Sequence, residues 1–495
     1  MKVLMNAKST EHYRLFLQAR RLPRCTVNGS VLYIPDEYAS MLGLALTVTH
    51  AASEYAPPAW MFDYQRAITR MAIRKGNFCV FADCGLGKTA ILLEYSRHAA
   101  QSGPVLIVSP LMVIPQTISE AKRFFGDALA MERLDSKSLQ GWLNSGSGVG
   151  IVNYEAIRPE LRAGKLAGLV LDESSLLKSH YGKWGTKLID LGRGLKWKLA
   201  CTGTPAPNDR IEYANHAVFM DAFPTVNSFL AKFFVNRGQT AERWELKAHA
   251  LPAFYRALAD WSIFLQSPST YGWKDNAAPL PPIKVIQHDV SLTDEQNNAV
   301  RLETGHLFAS DLGGIVGRSR LGQLAKGNHR GQKISSRKPA FVASMALKFA
   351  AEERSTIIWC KYNAEQDELA RLLPGAGNID GSTPLDKRPE IIADFQTGKL
   401  PILISKAKVL GFGLNLQRCT RMIFSGLEDS YESFYQAVKR ANRYGATEAL
   451  EAHIPVTPLE APMVDNVLRK AAQVQHDTEE QERIFKEYGH ELLCL

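Results

Sequence analysis

An α/β fold is what this sequence predicts: two parallel-sheet domains in tandem, with helical insertions. Three observations predict it. Short Val/Ile/Leu-rich runs recur between segments of helical periodicity, as expected for strands buried on both faces and joined by crossover helices. The alternation comes in two series, one in the first half of the chain and one beginning near residue 355. At 495 residues, with 45% hydrophobic and 22% charged residues, the chain is long enough for two to four domains and ordinary for a globular protein.

Residues 1–53 read as a small N-terminal accessory element without a motif. The first sheet domain is expected over 54–205. It begins with "NFCVFA" (77–82), an apolar run read as a strand, and "KTAILLEYSRHA" (88–99), apolar at helical spacing. The stretch spanning them, "FADCGLGKTA" (81–90), is therefore strand, glycine loop, helix. That order suits a phosphate cradle: Gly85 and Gly87 supply permissive dihedrals, Lys88 a cation, and Thr89 a hydroxyl for Mg²⁺ at a helix N-terminus. Ala82 stands where the strict pattern has glycine, so on the loop alone a chance turn competes. Further strands are expected in "PVLIVSP" (104–110), "GVGIVNY" (148–154), "GLVLDE" (168–173) and "KWKLACTGTP" (196–205), with a helix through "PQTISEAKRFF".

Residues 206–280 are helical and aromatic-rich, and read as a helical protrusion. Residues 281–336 read as a basic linker or helical insertion. No acid occurs from Leu312 to Ala351, whereas Arg318, Arg320, Lys326, Arg330, Lys333, Arg337, Lys338 and Lys348 are basic. Such a run is either a phosphate-backbone contact or a solvated loop. The second sheet domain, 337–457, takes strands from "STIIWC", "LPILIS", "RMIFS" and "ALEAHIPV", with helices through "NAEQDELARLL" and "YESFYQAVKRAN". Residues 458–495, which include "HDTEEQERIFKEYGHEL", read as an acidic, exposed terminal helix. The net charge of +9 favours polyanionic partners. Seven scattered cysteines without a C-x-x-C pair argue for a reducing cytosol rather than a disulfide or zinc framework. No stretch approaches a membrane span and no signal-peptide pattern opens the chain, so a cytoplasmic location is expected.

Two more clusters carry chemistry. "LVLDESSLLKS" (169–179) delivers Asp172 and Glu173 to a strand's carboxyl end, where open α/β sheets bind ligands. One carboxylate can sit beside Mg²⁺ while the other orients a nucleophile. Alone, such a pair reads more readily as a cap. "CTGTPAPND" (201–209) follows, with hydroxyls suited to sensing a phosphate. "QAVKRANRYGA" (436–446) carries Arg440 and Arg443 three residues apart, read as one helical face. Paired arginines stabilise charge on a transferring phosphoryl group, or else form a surface ion-pair stripe.

Taken in order, "DYQ", "ADCGLGKT", "LIVSPLMVI", "LDESS", "CTGTPAPN", "DGST", "LGFGLNLQ" and "QAVKRANRYG" resemble the motifs of superfamily-two helicases. The set is most similar to Swi/Snf-type DNA-dependent ATPases in the compact form found in bacteriophages and prophages. The resemblance covers about residues 60–455. It implies two RecA-like domains that share ATP, with Mg²⁺ as cofactor and duplex DNA as the favoured partner, in a bacterial or phage-infected cell. It implies that Gln65 reads adenine, that Gly85, Gly87, Lys88 and Thr89 hold phosphate, and that Thr89 and Asp172 hold the metal. Glu173 would activate water, Thr202 and Thr204 would couple hydrolysis to movement, and Gly413 and Gln436 would line the nucleotide. Asn415 would lie near DNA, and of Arg440 and Arg443 the second would be the arginine finger. Ser174-Ser175 departs from the Ala-His or Gly-His of many relatives, leaving the coupling of that box open. Trp244, Trp261 and Trp273 fit core packing better than base stacking. A strand-separating DNA or RNA helicase shares every motif, and an ATPase subunit recruiting a nuclease or defence complex without translocation is a third reading; a nuclease or a replication or recombination protein is the partner such a chain would have.

Overall fold

The computed structural model describes residues 1–22, 24–35, 38–44, 55–178, 183–238, 243–274, 280–304, 314–384, 386–410, 416–427, 430–443, 446 and 448–488. The chain divides into two units, Met1–Asn276 with Val474–Leu495, and Ala277–Gln473. No helix among the described residues is long and apolar enough to cross a membrane.

The first unit opens on β1 (Lys2–Leu4), α1 (Thr10–Arg20), β2 (Thr26–Asn28) and β3 (Val31–Tyr33), whose strands pair antiparallel in the order β1-β3-β2. This element has its own small core of Ala19, Leu22, Leu32, Ile34 and Tyr38. Arg24 and the Tyr38 hydroxyl both reach Asp260, at 3.2 and 3.4 Å, and tie the element to the body of the unit.

The body follows as α2 (Asp63–Lys75), β4 (Asn77–Ala82), α3 (Lys88–Ala99), β5 (Val105–Ser109), α4 (Ile114–Phe125), β6 (Met131–Arg133), α5 (Leu139–Ser145), β7 (Val149–Asn153) and β8 (Gly168–Asp172). Next come α6 (Lys183–Gly192), β9 (Trp197–Thr202), α7 (Tyr213–Phe219), α8 (Val226–Phe233), a hairpin of β10 (Phe234–Asn236) and β11 (Trp244–Leu246), α9 (Leu251–Ala259) and β12 (Ser262–Leu265). One sheet, ordered β12-β4-β9-β8-β5-β7-β6, takes all of these strands except the hairpin, and every pairing in it is parallel. Strands β5, β8 and β9 are buried at every position, which is why their sequences are continuous apolar runs rather than alternating ones. The chain turns from α2 into β4 at Gly76, with φ 77°; a Cβ there would stand 2.9 Å from the Lys196 carbonyl oxygen, so only glycine fits.

The expectation for residues 206–280 needs correcting. Residues 206–280 are not wholly a helical protrusion, because β12 lies within them and pairs with β4 as a buried edge strand of the sheet. "SIFL" is four residues long, and so short an apolar run cannot be told from a helix segment by periodicity. Trp261 is a core residue, 2% exposed, and Trp244 and Trp273 are partly buried against the same core.

The second unit contains β13 (Ile283–Asp289), α10 (Asp294–Thr304), α11 (Gly314–Ala325), β14 (Asn328–His329), β15 (Gln332–Lys333), α12 (Lys338–Ala351), β16 (Thr356–Cys360), α13 (Asn363–Leu372) and β17 (Gly377–Ile379). It continues with α14 (Arg388–Thr397), β18 (Ile402–Lys406), β19 (Arg421–Phe424), α15 (Tyr431–Val438), β20 (Leu450–Val456) and the first part of α16 (Ala461–Tyr488). Its sheet runs β13-β20-β19-β16-β18-β17, parallel throughout. The expected basic linker therefore begins with a sheet strand: β13 pairs with β20 from Ile283↔Leu450 to Asp289↔Val456. As an edge strand it mixes exposed and half-buried residues, so "IKVIQHD" lacked the continuous apolar signature.

The terminal helix is also less exposed than its acidity suggested. In the first unit, Asp477 accepts from the Arg210 guanidinium at 2.9 and 2.5 Å and from the Tyr255 hydroxyl at 2.8 Å. Ile484 and Phe485 enter the main core. The acids of α16 thus include structural partners.

A buried ion cluster anchors the second unit. Glu460, 4% exposed, accepts from Lys326, from Lys338 at 2.5 Å and from the Thr457 hydroxyl at 3.1 Å. Burial pushes its pKa up, but the two ammonium groups outweigh burial and bring it down to about 2. Glu460→Gln would leave two buried cations facing a neutral amide, and should cost the second unit about 3–5 kcal/mol. Hydrogen exchange along α12 in the intact chain reads this out; unchanged protection there would refute it.

Candidate nucleotide-binding site

Strands β4, β9 and β8 are neighbours, with Phe81 in register with Thr202 and Asp172 in register with Cys201. Because they run parallel, the segments leaving their carboxyl ends emerge along one edge of the sheet. Three stretches far apart in sequence are brought together in this way: the loop to Lys88, the turn at Glu173, and the loop through Thr204.

The β4–α3 loop is shaped by backbone sterics. Gly85 and Gly87 take φ values of 87° and 69°. A Cβ on Gly87 would lie 2.2 Å from Gln65 Nε2. Gln65, 4% exposed, donates from Nε2 to the Leu86 carbonyl at 3.3 Å, while its Oε1 accepts from the Phe62 amide at 3.1 Å. The Tyr64 hydroxyl donates to the same Leu86 carbonyl at 3.0 Å. The glutamine thus braces the loop, and Phe62 stays exposed beside it, stacked on Tyr64.

At the first turn of α3, Lys88 Nζ donates to the carbonyls of Ala82 and Asp83 at 2.9 and 3.2 Å. Burial opposes its charge, but the fields of Cys84, Glu173, Asp83 and Asp172 outweigh burial and raise its pKa. Thr89 is the next residue on that turn and is half-buried. Asp172, 8% exposed, accepts from the Ser109 hydroxyl at 2.9 Å, and its carbonyl accepts from the Tyr154 hydroxyl at 2.7 Å. Burial raises its pKa, against the Ser109 hydrogen bond and the Lys88 charge. Ser109 and Tyr154 were not singled out from the sequence; each is an ordinary strand-end residue until the fold brings it to Asp172.

Glu173 takes left-handed dihedrals, φ 51° and ψ 55°, uncommon for a residue with a side chain. The Thr202 hydroxyl donates to Glu173 Oε2 at 3.4 Å, and the Thr204 amide donates to Thr202 Oγ1 at 3.1 Å. A hydroxyl therefore stands between the carboxylate and the next loop. The donor set fits a magnesium–triphosphate group: Lys88 and the α3 N-terminus for phosphate, Thr89 and the buried Asp172 for the metal.

The residues expected from the second unit are described within that unit. Gln436 is half-buried on α15. Arg440 and Arg443 do not share a helical face, because α15 ends at Val438. Arg440 is 6% exposed; it donates to the Ala407 carbonyl at 2.9 Å and its guanidinium lies 5.5 Å from the Trp359 ring centroid. Burial, aided by Arg443, lowers its pKa to about 10. Arg440 is thus committed to its own unit, while Arg443 is half-buried. Gly413 and Asn415 lie outside the described residues.

The basic run divides. Lys326 and Lys338 are buried on Glu460, which removes Lys326 from the expected nucleic-acid contacts. Lys333 pairs with Glu368 at 2.7 Å. Arg318 is half-buried and Arg320 exposed on α11, and Arg330 is exposed in the turn between β14 and β15.

Comparison with known proteins finds the following similarities. Residues 338–445 match the family described as helicase conserved C-terminal domain, which bears out the helicase resemblance. The chain is 25% identical over 403 residues to "Putative protein p41" of Acyrthosiphon pisum secondary endosymbiont phage 1, covering 72% of this chain and 82% of that protein. It is 22% identical over 419 residues to "Putative ATP-dependent helicase/translocase YwqA" of Bacillus subtilis (strain 168), covering 78% of this chain but only 45% of YwqA. Among solved structures it is similar to the Sulfolobus solfataricus SWI2/SNF2 ATPase core in complex with dsDNA, at 18% identity and a TM-score of 0.40, over 81% of this chain and 89% of that one.

Gly87→Ala should force a left-handed alanine against the Gln65 amide, or a loop that must be rebuilt on binding. We expect nucleotide affinity to fall by about tenfold or more, measured by titration with a fluorescent ATP analogue. Wild-type affinity in a folded variant would show that the loop is not the cradle.

Proposed function

We propose that this protein is an ATP-dependent nucleic-acid motor, a nucleic-acid-dependent ATPase that translocates on duplex DNA. The observation that carries the reading is the gathering of Lys88, Asp172, Glu173 and Thr202 at three adjacent strand ends, in a chain that also holds a helicase C-terminal domain. The similarity to a helicase/translocase supports the motor reading over a simple nucleotide-binding one.

Each residue has a physical task. Lys88 offsets negative charge on the β- and γ-phosphates, and Gln65 positions the base while bracing the loop. Thr89 and Asp172 would hold Mg²⁺, which supplies charge neutralisation at the phosphates when bound. Glu173 orients a water and accepts its proton. Thr202 senses the state of Glu173 and passes it to the Thr204 loop. Gln436 serves the nucleotide, Arg443 stabilises charge on the transferring phosphoryl group, and Arg440 holds the turn that carries Arg443. Arg318, Arg320 and Arg330 contact nucleic-acid phosphates, giving grip without base readout.

ATPase rates with no nucleic acid, single-stranded DNA, duplex DNA, forked DNA and RNA test the reading. Strongest stimulation by duplex DNA is expected; stimulation by RNA alone, or strand displacement on a fork, would replace translocation with unwinding. Lys88→Ala and Glu173→Gln should each abolish turnover while sparing DNA binding, and Arg443→Ala should slow it by about 10³-fold. Full turnover in any of the three reassigns that residue.

Replacing Arg318, Arg320 and Arg330 together with alanine should weaken DNA binding and lower the slope of log affinity against log salt by about 2–3. An unaltered slope would remove these arginines from the phosphate contacts.

A further inference from the structure

One short helix grips the turn that follows Glu173 at both ends. After Glu173 the chain makes a single turn of 3-10 helix, Ser174–Leu177. Helix α7 presents two consecutive buried side chains to it, Asn215 at 2% and His216 at 0% exposure. His216 Nε2 lies 3.1 Å from the Ser174 hydroxyl, and Asn215 Nδ2 donates to the Leu177 carbonyl at 2.6 Å. Just before α7, Glu212 accepts from the Asn208 amide and side chain, both at 2.9 Å. The same stretch therefore also fixes the loop that follows Thr204. The His216 ring meets Phe81 of β4 edge-on, centroids 5.3 Å apart, so it cannot swing away without opening a void beside the phosphate loop's strand.

A left-handed, non-glycine residue persists only where its surroundings over-determine it. Glu173 is such a residue, and the buried Ser174–His216 contact is the restraint next to it. Burial brings the His216 pKa down to about 4, so the ring is neutral and its contact with Ser174 stays the same across the neutral range.

We propose that His216 is a positioning residue for hydrolysis: through the Ser174 hydroxyl it holds the Glu173 turn in the geometry that places the carboxylate on Thr202. The proposal rests on the ATPase reading above. It also gives the departure at Ser174-Ser175 a physical role, because Ser174 supplies the hydroxyl that a histidine from another helix holds.

The test uses the full chain carrying His216→Leu, His216→Gln, Ser174→Ala, and the Leu/Ala double variant. Without nucleotide, amide exchange over residues 173–177 should quicken by about tenfold or more in His216→Leu and in Ser174→Ala, with the core strands of the first unit unchanged. In turnover, both should lower kcat by about 10- to 100-fold while KM for ATP stays within about twofold. The double variant should be no worse than the worse single one, since both remove one contact. His216→Gln, whose amide can reach the same hydroxyl, should recover most of the rate. Wild-type exchange and kcat in His216→Leu, additive losses in the double variant, or exchange rising evenly throughout the unit would each overturn the proposal. A wild-type chain that hydrolyses no ATP would instead sink the parent reading, even with the local exchange effect in place.

Discussion

Parallel pairing of β4, β9 and β8 is the constraint on which the rest of the first unit depends. Parallel strands cannot be joined by tight turns, so each must be followed by a crossover that leaves from the same edge of the sheet. The glycine loop, the acidic turn and the threonine loop leave from that edge side by side because their strands are adjacent. Register then decides the chemistry. With Asp172 beside Cys201, the residue just after β8 lies level with the end of β9, and Thr202 reaches Glu173. A register slip would move these side chains to opposite faces.

Around that edge, polar groups are held against their preferences and restrained by neighbours. Asp172 is buried and braced by Ser109, Lys88 is turned onto main-chain carbonyls, Gln65 fills the space a Cβ would need, and Glu173 is left-handed. The burial of Asp172 and the backbone of Glu173 are each unfavourable in isolation and are held by these neighbours. Strained backbone and perturbed charged groups concentrate at functional edges, which is why this edge is the candidate site.

Buried charge in the second unit has a different meaning. Glu460 with Lys326 and Lys338, and Arg440 against Trp359 and Ala407, are internal ties. They show how a basic stretch can lose its apparent surplus on folding. Glu460 lies 134 residues from Lys326 and 122 from Lys338, and Glu368 lies 35 from Lys333, so no local window contains the compensating acids. In the first unit Asp477, on a helix whose composition reads as exposed, is the partner of Arg210 at a separation of 267 residues.

By itself the sequence determined the α/β class, the buried strands and the glycine loop, because fully apolar runs and the glycines' backbone freedom are local properties. The order of motifs likewise singled out Lys88, Asp172 and Glu173 before any fold was visible. Tertiary structure alone decided that β12 and β13 are sheet strands, since an edge strand or a four-residue run carries no distinctive period. It alone decided that the helix before Arg440 stops at Val438, that Lys326 is an anchor rather than a surface cation, and that His216 stands under Ser174. Those outcomes depend on which distant group fills the space beside a residue, and neighbours along the chain do not encode that.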